Sequence, residues 1–130
     1  MKRMDWMALA AAGLWITASE FVRNELLFKS HWVNHYAGLN LTFETTPVNG
    51  ILWLVWSFII AAVLQQVLER FSLRGSVALT WLVTFPTMWI TLFNLQVLPA
   101  GLLVFALPLS ILEIAVAAWL LRRLGGPATT

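Results

Sequence analysis

Residues 48–68 and 76–98 contain no Asp, Glu, Lys or Arg, and each run is long enough to cross a bilayer as a helix. A hydrocarbon core of roughly 30 Å takes about 20 helical residues at about 1.5 Å each. Lipid offers no hydrogen bonds, so only helices or closed barrels satisfy the backbone there. Two further runs read the same way. Residues 101–121 hold one charge, Glu113, and stop at Arg122 and Arg123. Residues 5–28 form the weakest span, because the uninterrupted apolar part, 6–19, is short and is followed by Glu20, Arg23 and Glu25. The expected fold is all-α, an integral membrane protein with four transmembrane helices in an antiparallel bundle. Its spans fall at about 5–28, 48–68, 76–98 and 101–121, within a single domain 1–124. Residues 29–47 are expected to form an extracytoplasmic interfacial loop and 125–130 a disordered tail.

Composition supports a lipid surround. Charged residues make up 11% of the chain, against about 25% in an ordinary soluble domain. Hydrophobic residues make up 60%, with eight Trp and eight Phe, and the mean hydropathy is +0.80. That leaves too little polar surface for a soluble fold. The charges gather in short islands between apolar runs, which argues against nucleic acid as a partner. The absence of cysteine excludes disulfides, thiolate metal sites and cysteine nucleophiles.

Orientation follows from the bias of Lys and Arg toward cytoplasmic loops. Lys2, Arg3, Arg70, Arg74, Arg122 and Arg123 fall on one side of the expected bundle, and Lys29 with Arg23 on the other. Both termini are therefore expected in the cytoplasm, with residues 29–47 and the turn at Pro99 outside. Trp6, Trp81 and Trp119 then lie near the inner boundary and Trp32 and Tyr36 near the outer one, as interfacial rings prefer. The expected location is the cell membrane, multi-pass, and the compactness suggests a bacterial inner membrane. A rival reading takes the first span as a cleaved secretory signal, since Lys2 and Arg3 precede a short apolar stretch that ends in Thr17, Ala18 and Ser19.

Polar and small residues recur at helical spacing within each span. Thr80, Thr84, Thr87, Thr91 and Asn94 share one helix face, as do Ala106, Ser110, Glu113 and Ala117. The first span offers Ala10, Gly13, Thr17, Glu20 and Asn24, and the second Ser57, Ala61 and Gln65. Such stripes turn toward partner helices, where they permit close approach and share hydrogen bonds. The threonines read either as packing, with hydroxyls bonded back to their own helix, or as a polar track for protons or a small solute.

Glu113 stands out, because an acidic side chain at the centre of a span costs about 2.5–3.5 kcal/mol on insertion scales. Thr84 and Thr87 of the neighbouring helix are its expected partners, and no Lys or Arg is expected at its depth, so an uncharged carboxyl is favoured. Glu20 and Arg23 sit three apart near the outer end of the first span and are expected to pair. The difference in depth argues against contact between Glu20 and Glu113.

In the outer loop His31 and His35 stand four apart, a spacing usable for metal, although no third ligand is fixed. The other reading of this stretch is a short interfacial helix. Three functions from different classes follow. One is proton-linked small-solute transport, acting as a homodimer because four short helices enclose little volume. In size and four-span layout the chain is like the small multidrug exporters, but their characteristic stretches do not align with it and no membership follows. The second is a non-catalytic accessory or assembly subunit of a larger membrane complex. The third is an interfacial membrane enzyme or lipid-binding protein working through His31, His35 and Glu44. No nucleophile motif, phosphate loop or complete metal signature is present, so an enzyme is the least supported and no cofactor is assigned.

Overall fold

The computed structural model describes residues 4–125; Lys2, Arg3 and, of the tail expected at 125–130, all but Gly125 lie outside the described residues. All regular structure among the described residues is helical. Helix α1 spans Trp6–Phe21 and starts where Asp5 accepts hydrogen bonds from the amides of Met7 and Ala8, both at 3.1 Å. A cap of this type contributes about 1 kcal/mol. After Phe21 the backbone widens into a π-helical segment, Val22–Leu27. Helix α2, Lys29–Gly38, follows at once.

Helix α3, Pro47–Leu68, opens with the Thr46 amide donating to the Asn49 side chain at 3.1 Å. Pro47 occupies the first turn, where a missing N–H costs nothing. Helix α4, Leu73–Asn94, begins with the Ser72 hydroxyl accepting from the Gly75 amide at 3.2 Å. A 3-10 turn, Ala100–Leu102, leads into helix α5, Leu103–Leu124, whose last turn carries Arg122 and Arg123 beside its carbonyl end.

Among the described residues three helices are long and apolar enough to cross a membrane: α3, α4, and α5 with its leading turn. Helix α1, at 16 residues, is not one of them. Boundaries differ from the sequence reading in three places. Helix α4 starts at Leu73 rather than 76, because Gly75 lies inside a capped first turn and does not break the helix. It ends at Asn94 rather than 98, because Gln96 adopts a left-handed conformation, φ 62°, and closes a Schellman turn. There the Val97 amide bonds to the Leu92 carbonyl at 3.0 Å and the Gln96 amide to the Phe93 carbonyl at 2.9 Å. Helix α5 runs past 121 to Leu124, since arginines suit a helix C-terminus. Within residues 29–47, Lys29–Gly38 form α2, the short helix that one reading of this stretch expected.

Helix α1 packs against α3 and α5, and α4 packs against α5 and α3. The Gln65 side chain reaches the Asp5 carbonyl, so α1 and α3 run antiparallel. Trp15 donates to the Glu113 carbonyl, and Gly125 lies beside Ala8, which makes α1 and α5 antiparallel as well. Small residues allow these approaches. Ala8 and Ala12 of α1, Ala61 of α3, and Ala117 and Ala118 of α5 are fully buried, and the Phe58 ring lies so close to Gly13 that a Cβ there would meet it at 2.9 Å. Ile16, Ile60, Leu64, Phe85 and Ile114 complete the core.

Candidate functional site

Where α1 gives way to the π-helical segment, three charged side chains are buried together: Glu20 at 4% exposure, Arg23 at 6% and Glu113 at 2%. One guanidinium serves two carboxylates. Its Nη2 contacts Glu20 Oε1, and its Nη1 lies 3.2 Å from Glu113 Oε2 across the α1–α5 seam. The guanidinium carbon lies over the Phe85 ring of α4, 5.3 Å from its centroid. That placement adds a cation–π contact, worth about 2 kcal/mol when desolvated.

The cluster extends outward through hydrogen bonds. Asn24 donates to Glu20 Oε2 at 2.8 Å, and Trp32 of α2 donates to Asn24 Oδ1 at 3.1 Å. Inward, Trp15 caps the Glu113 backbone carbonyl at 3.0 Å. Among the described residues, a few buried side-chain atoms lack a hydrogen-bond partner, on Gln65, Gln66, Thr80 and Glu113, and the last belongs to this cluster. Glu113 Oε1 is buried and accepts no hydrogen bond.

The sequence pairing of Glu20 with Arg23 is the local half of this arrangement. Three expectations are corrected. Thr84 and Thr87 do not serve Glu113: the Thr84 hydroxyl bonds back to the Thr80 carbonyl at 2.6 Å and that of Thr87 to the Val83 carbonyl at 2.7 Å, with Thr87 exposed. A threonine on a helix can satisfy itself in this way without a neighbour. A cation does reach Glu113, because depth counted at the Arg23 backbone ignores the length of its side chain. Arg23 also bridges Glu20 and Glu113, whose difference in depth had argued against contact.

Ser110 lies elsewhere, accepting from the Trp81 indole at 2.9 Å and donating to the Leu107 carbonyl at 2.9 Å. Ser57 is buried and bonded to the Trp53 carbonyl at 2.8 Å, away from Glu20. Trp15, Trp32 and Phe85 were not anticipated as members of the site. The only sequence signal for the two tryptophans is that an indole needs a partner for its N–H when buried in an apolar setting, and Phe85 carried none.

His31 and His35 both lie on α2. His35 Nε2 is 2.8 Å from the Gln96 carbonyl, and His31 packs edge-on against Phe28. Among the described residues no group of three or more His, Cys, Asp or Glu is placed to hold a metal ion. Glu25 is paired with Lys29 at 2.8 Å.

No known protein family, curated protein or solved structure matches this chain.

Proposed function

We propose that the chain is a multi-pass membrane protein that couples proton movement to the passage of a small solute, with the Glu20–Arg23–Glu113 cluster as its switch. In this reading α1 with its π-helical segment makes a fourth pass beside α3, α4 and α5, giving an antiparallel bundle in a cell membrane, with both ends in the cytoplasm. Arg70, Arg74, Arg122 and Arg123 share one end of the helices, and Lys29 sits at the other, which supports that orientation. A bacterial inner membrane suits it.

The observation that carries the reading is the charge count of the cluster. Two carboxylates against one guanidinium leave one negative charge in excess, in an interior where an uncompensated charge is costly. A single proton cancels it. Protonated, one carboxyl becomes a donor, and the unpartnered Glu113 Oε1 marks where the hydrogen-bond inventory is short. Loss of that proton would restore the excess charge and favour a rearrangement that lets water or solute in. The π-helical segment carrying Arg23 gives the helix a second register to move through, as π-bulges often do at functional sites.

A second reading, an accessory subunit of a larger membrane complex, is favoured by a different observation. Thr87, Thr91 and Asn94 form an exposed polar stripe on α4; the two hydroxyls bond back to their own helix, which leaves the Asn94 carboxamide as the group that lipid would not satisfy. A helix from a second copy, or from another protein, would cover the stripe. The interfacial-enzyme reading gains less, since Glu44 does not line the cleft that holds the two histidines.

The test is proton flux into liposomes carrying a trapped pH dye, for the intact protein and for Glu113→Gln, His31→Ala and Thr87→Ala. Flux lost in Glu113→Gln alone supports the proposal. Flux that survives Glu113→Gln contradicts it, flux lost only in His31→Ala favours interfacial chemistry, and no flux from the intact protein favours the accessory role.

A further inference from the structure

Helix α5 meets α4 far less closely than it meets α1. In the half of that seam beyond Trp81, a lateral groove of about 950 Å³ opens between Trp89 and Phe93 of α4 and Leu103 and Leu107 of α5. Trp81, whose indole donates to Ser110, is among its lining residues. Its far end is polar, formed by His35, Asn94 and Gln96.

A second cleft, of about 450 Å³, lies beneath α2 and shares His35 and Ala100 with the first. Ser30, His31, Asn34 and His35 line one side, and the start of the helical run at Ala100 and Gly101 lines the other. No carboxylate is among the lining residues. The Ser30 hydroxyl, the His31 imidazole and the Asn34 carboxamide can donate, while the His35 Nε2–H is taken by the Gln96 carbonyl, and the positive end of the α5 dipole faces the same space. A Cβ at Gly101 would meet nothing within 4 Å, so the cleft is open there. At the junction, Gln96 is held in a left-handed conformation that only tight context maintains in a residue other than Gly or Asn, and its carbonyl fixes His35 between the two spaces.

An apolar trough joined end-on to a donor-lined cleft has the shape and chemistry of one molecule. We propose that this pair of cavities binds a single-chain amphiphile with a phosphate head, its acyl chain between α4 and α5 and its head under α2. The inference is independent of proton coupling. It uses none of Glu20, Arg23 or Glu113, and it stands or falls on a different measurement.

The test is native mass spectrometry of the detergent-purified full chain titrated with lysophosphatidate, with lysophosphatidylcholine as the comparison. The expected result is one saturable lysophosphatidate site, with binding at least tenfold weaker for lysophosphatidylcholine, whose bulky cationic head suits donors poorly. Leu107→Trp and Ile90→Trp each fill the groove from a position already open to the surroundings, so the fold is expected to tolerate them, and each should weaken lysophosphatidate binding at least tenfold. His31→Ala with His35→Ala should remove the preference for the phosphate head and leave chain binding. The proposal is overturned if lysophosphatidate adds without saturation, if both tryptophan variants bind as the parent does, or if the two lipids bind equally.

Discussion

Helix α5 has two neighbours, and the two seams differ. Against α1 it presents Glu113, Ile114, Ala117, Ala118 and Leu121, all buried, and meets Ala8, Ala12 and Ile16. Against α4 it presents Leu103, Leu107, Ile111 and Ala115, and the seam is hollow on both sides of Trp81: the groove described above and a smaller one of about 380 Å³ toward Arg74. Alanine and glycine let backbones close up, so charged atoms can be sealed between helices with partners in reach. On α4 the bulky Trp81 and Trp89, with Pro86, line the groove instead. One seam is built to hold charge and the other to hold a molecule.

The largest way to break that contrast is to remove the shared cation. Arg23→Met leaves two buried carboxyls facing each other and is expected to cost about 3–5 kcal/mol, read as loss of stability to unfolding in lipid bicelles. Adding Glu20→Gln and Glu113→Gln to that variant should recover most of the loss, because the harm lies in the uncompensated charge. Next is the closeness of α1 itself. Gly13→Leu drives a side chain into the Phe58 ring and is expected to cost about 1–3 kcal/mol by overpacking, partly relieved by Phe58→Ala in the same unfolding measurement.

On the open seam the effects should be smaller. Trp81→Phe removes the hydrogen bond to Ser110, and a loss of about 0.5–1.5 kcal/mol is expected. A loss as large as that of Arg23→Met would mean that the α4–α5 seam is as tightly built as the other. Smallest is Thr87→Ala, where an exposed hydroxyl bonds only to its own helix, and a change within about 0.5 kcal/mol is expected.

Much of the helical layout was legible because the signals are long. Three charge-poor runs of membrane length became α3, α4 and α5, and their caps sit near the Thr, Ser and Arg residues that chemistry favours there. The first span was harder to read for the reason that makes it interesting: Glu20 and Arg23 interrupt its apolar run, and the backbone departs from α-helix at that point. The candidate site was half legible. A contact three residues apart on one helix follows from helical geometry, so Glu20 with Arg23 could be read directly. The reach of Arg23 to Glu113, 90 positions away, depends on how two alanine-lined faces meet, and no spacing rule carries that. Periodicity placed the threonines on one face, yet it could not tell whether α5 or open surroundings would cover that face.

The most direct test is a double-mutant cycle between Arg23→Met and Glu113→Gln, measured by reversible unfolding in lipid bicelles. Residues joined in one buried network couple by about 0.5–3 kcal/mol, and the upper part of that range is expected, since Arg23→Met strands two carboxylates and Glu113→Gln removes one of them while leaving Glu20 and Arg23 paired. Additive effects, with coupling below about 0.3 kcal/mol, would contradict a guanidinium shared between α1 and α5.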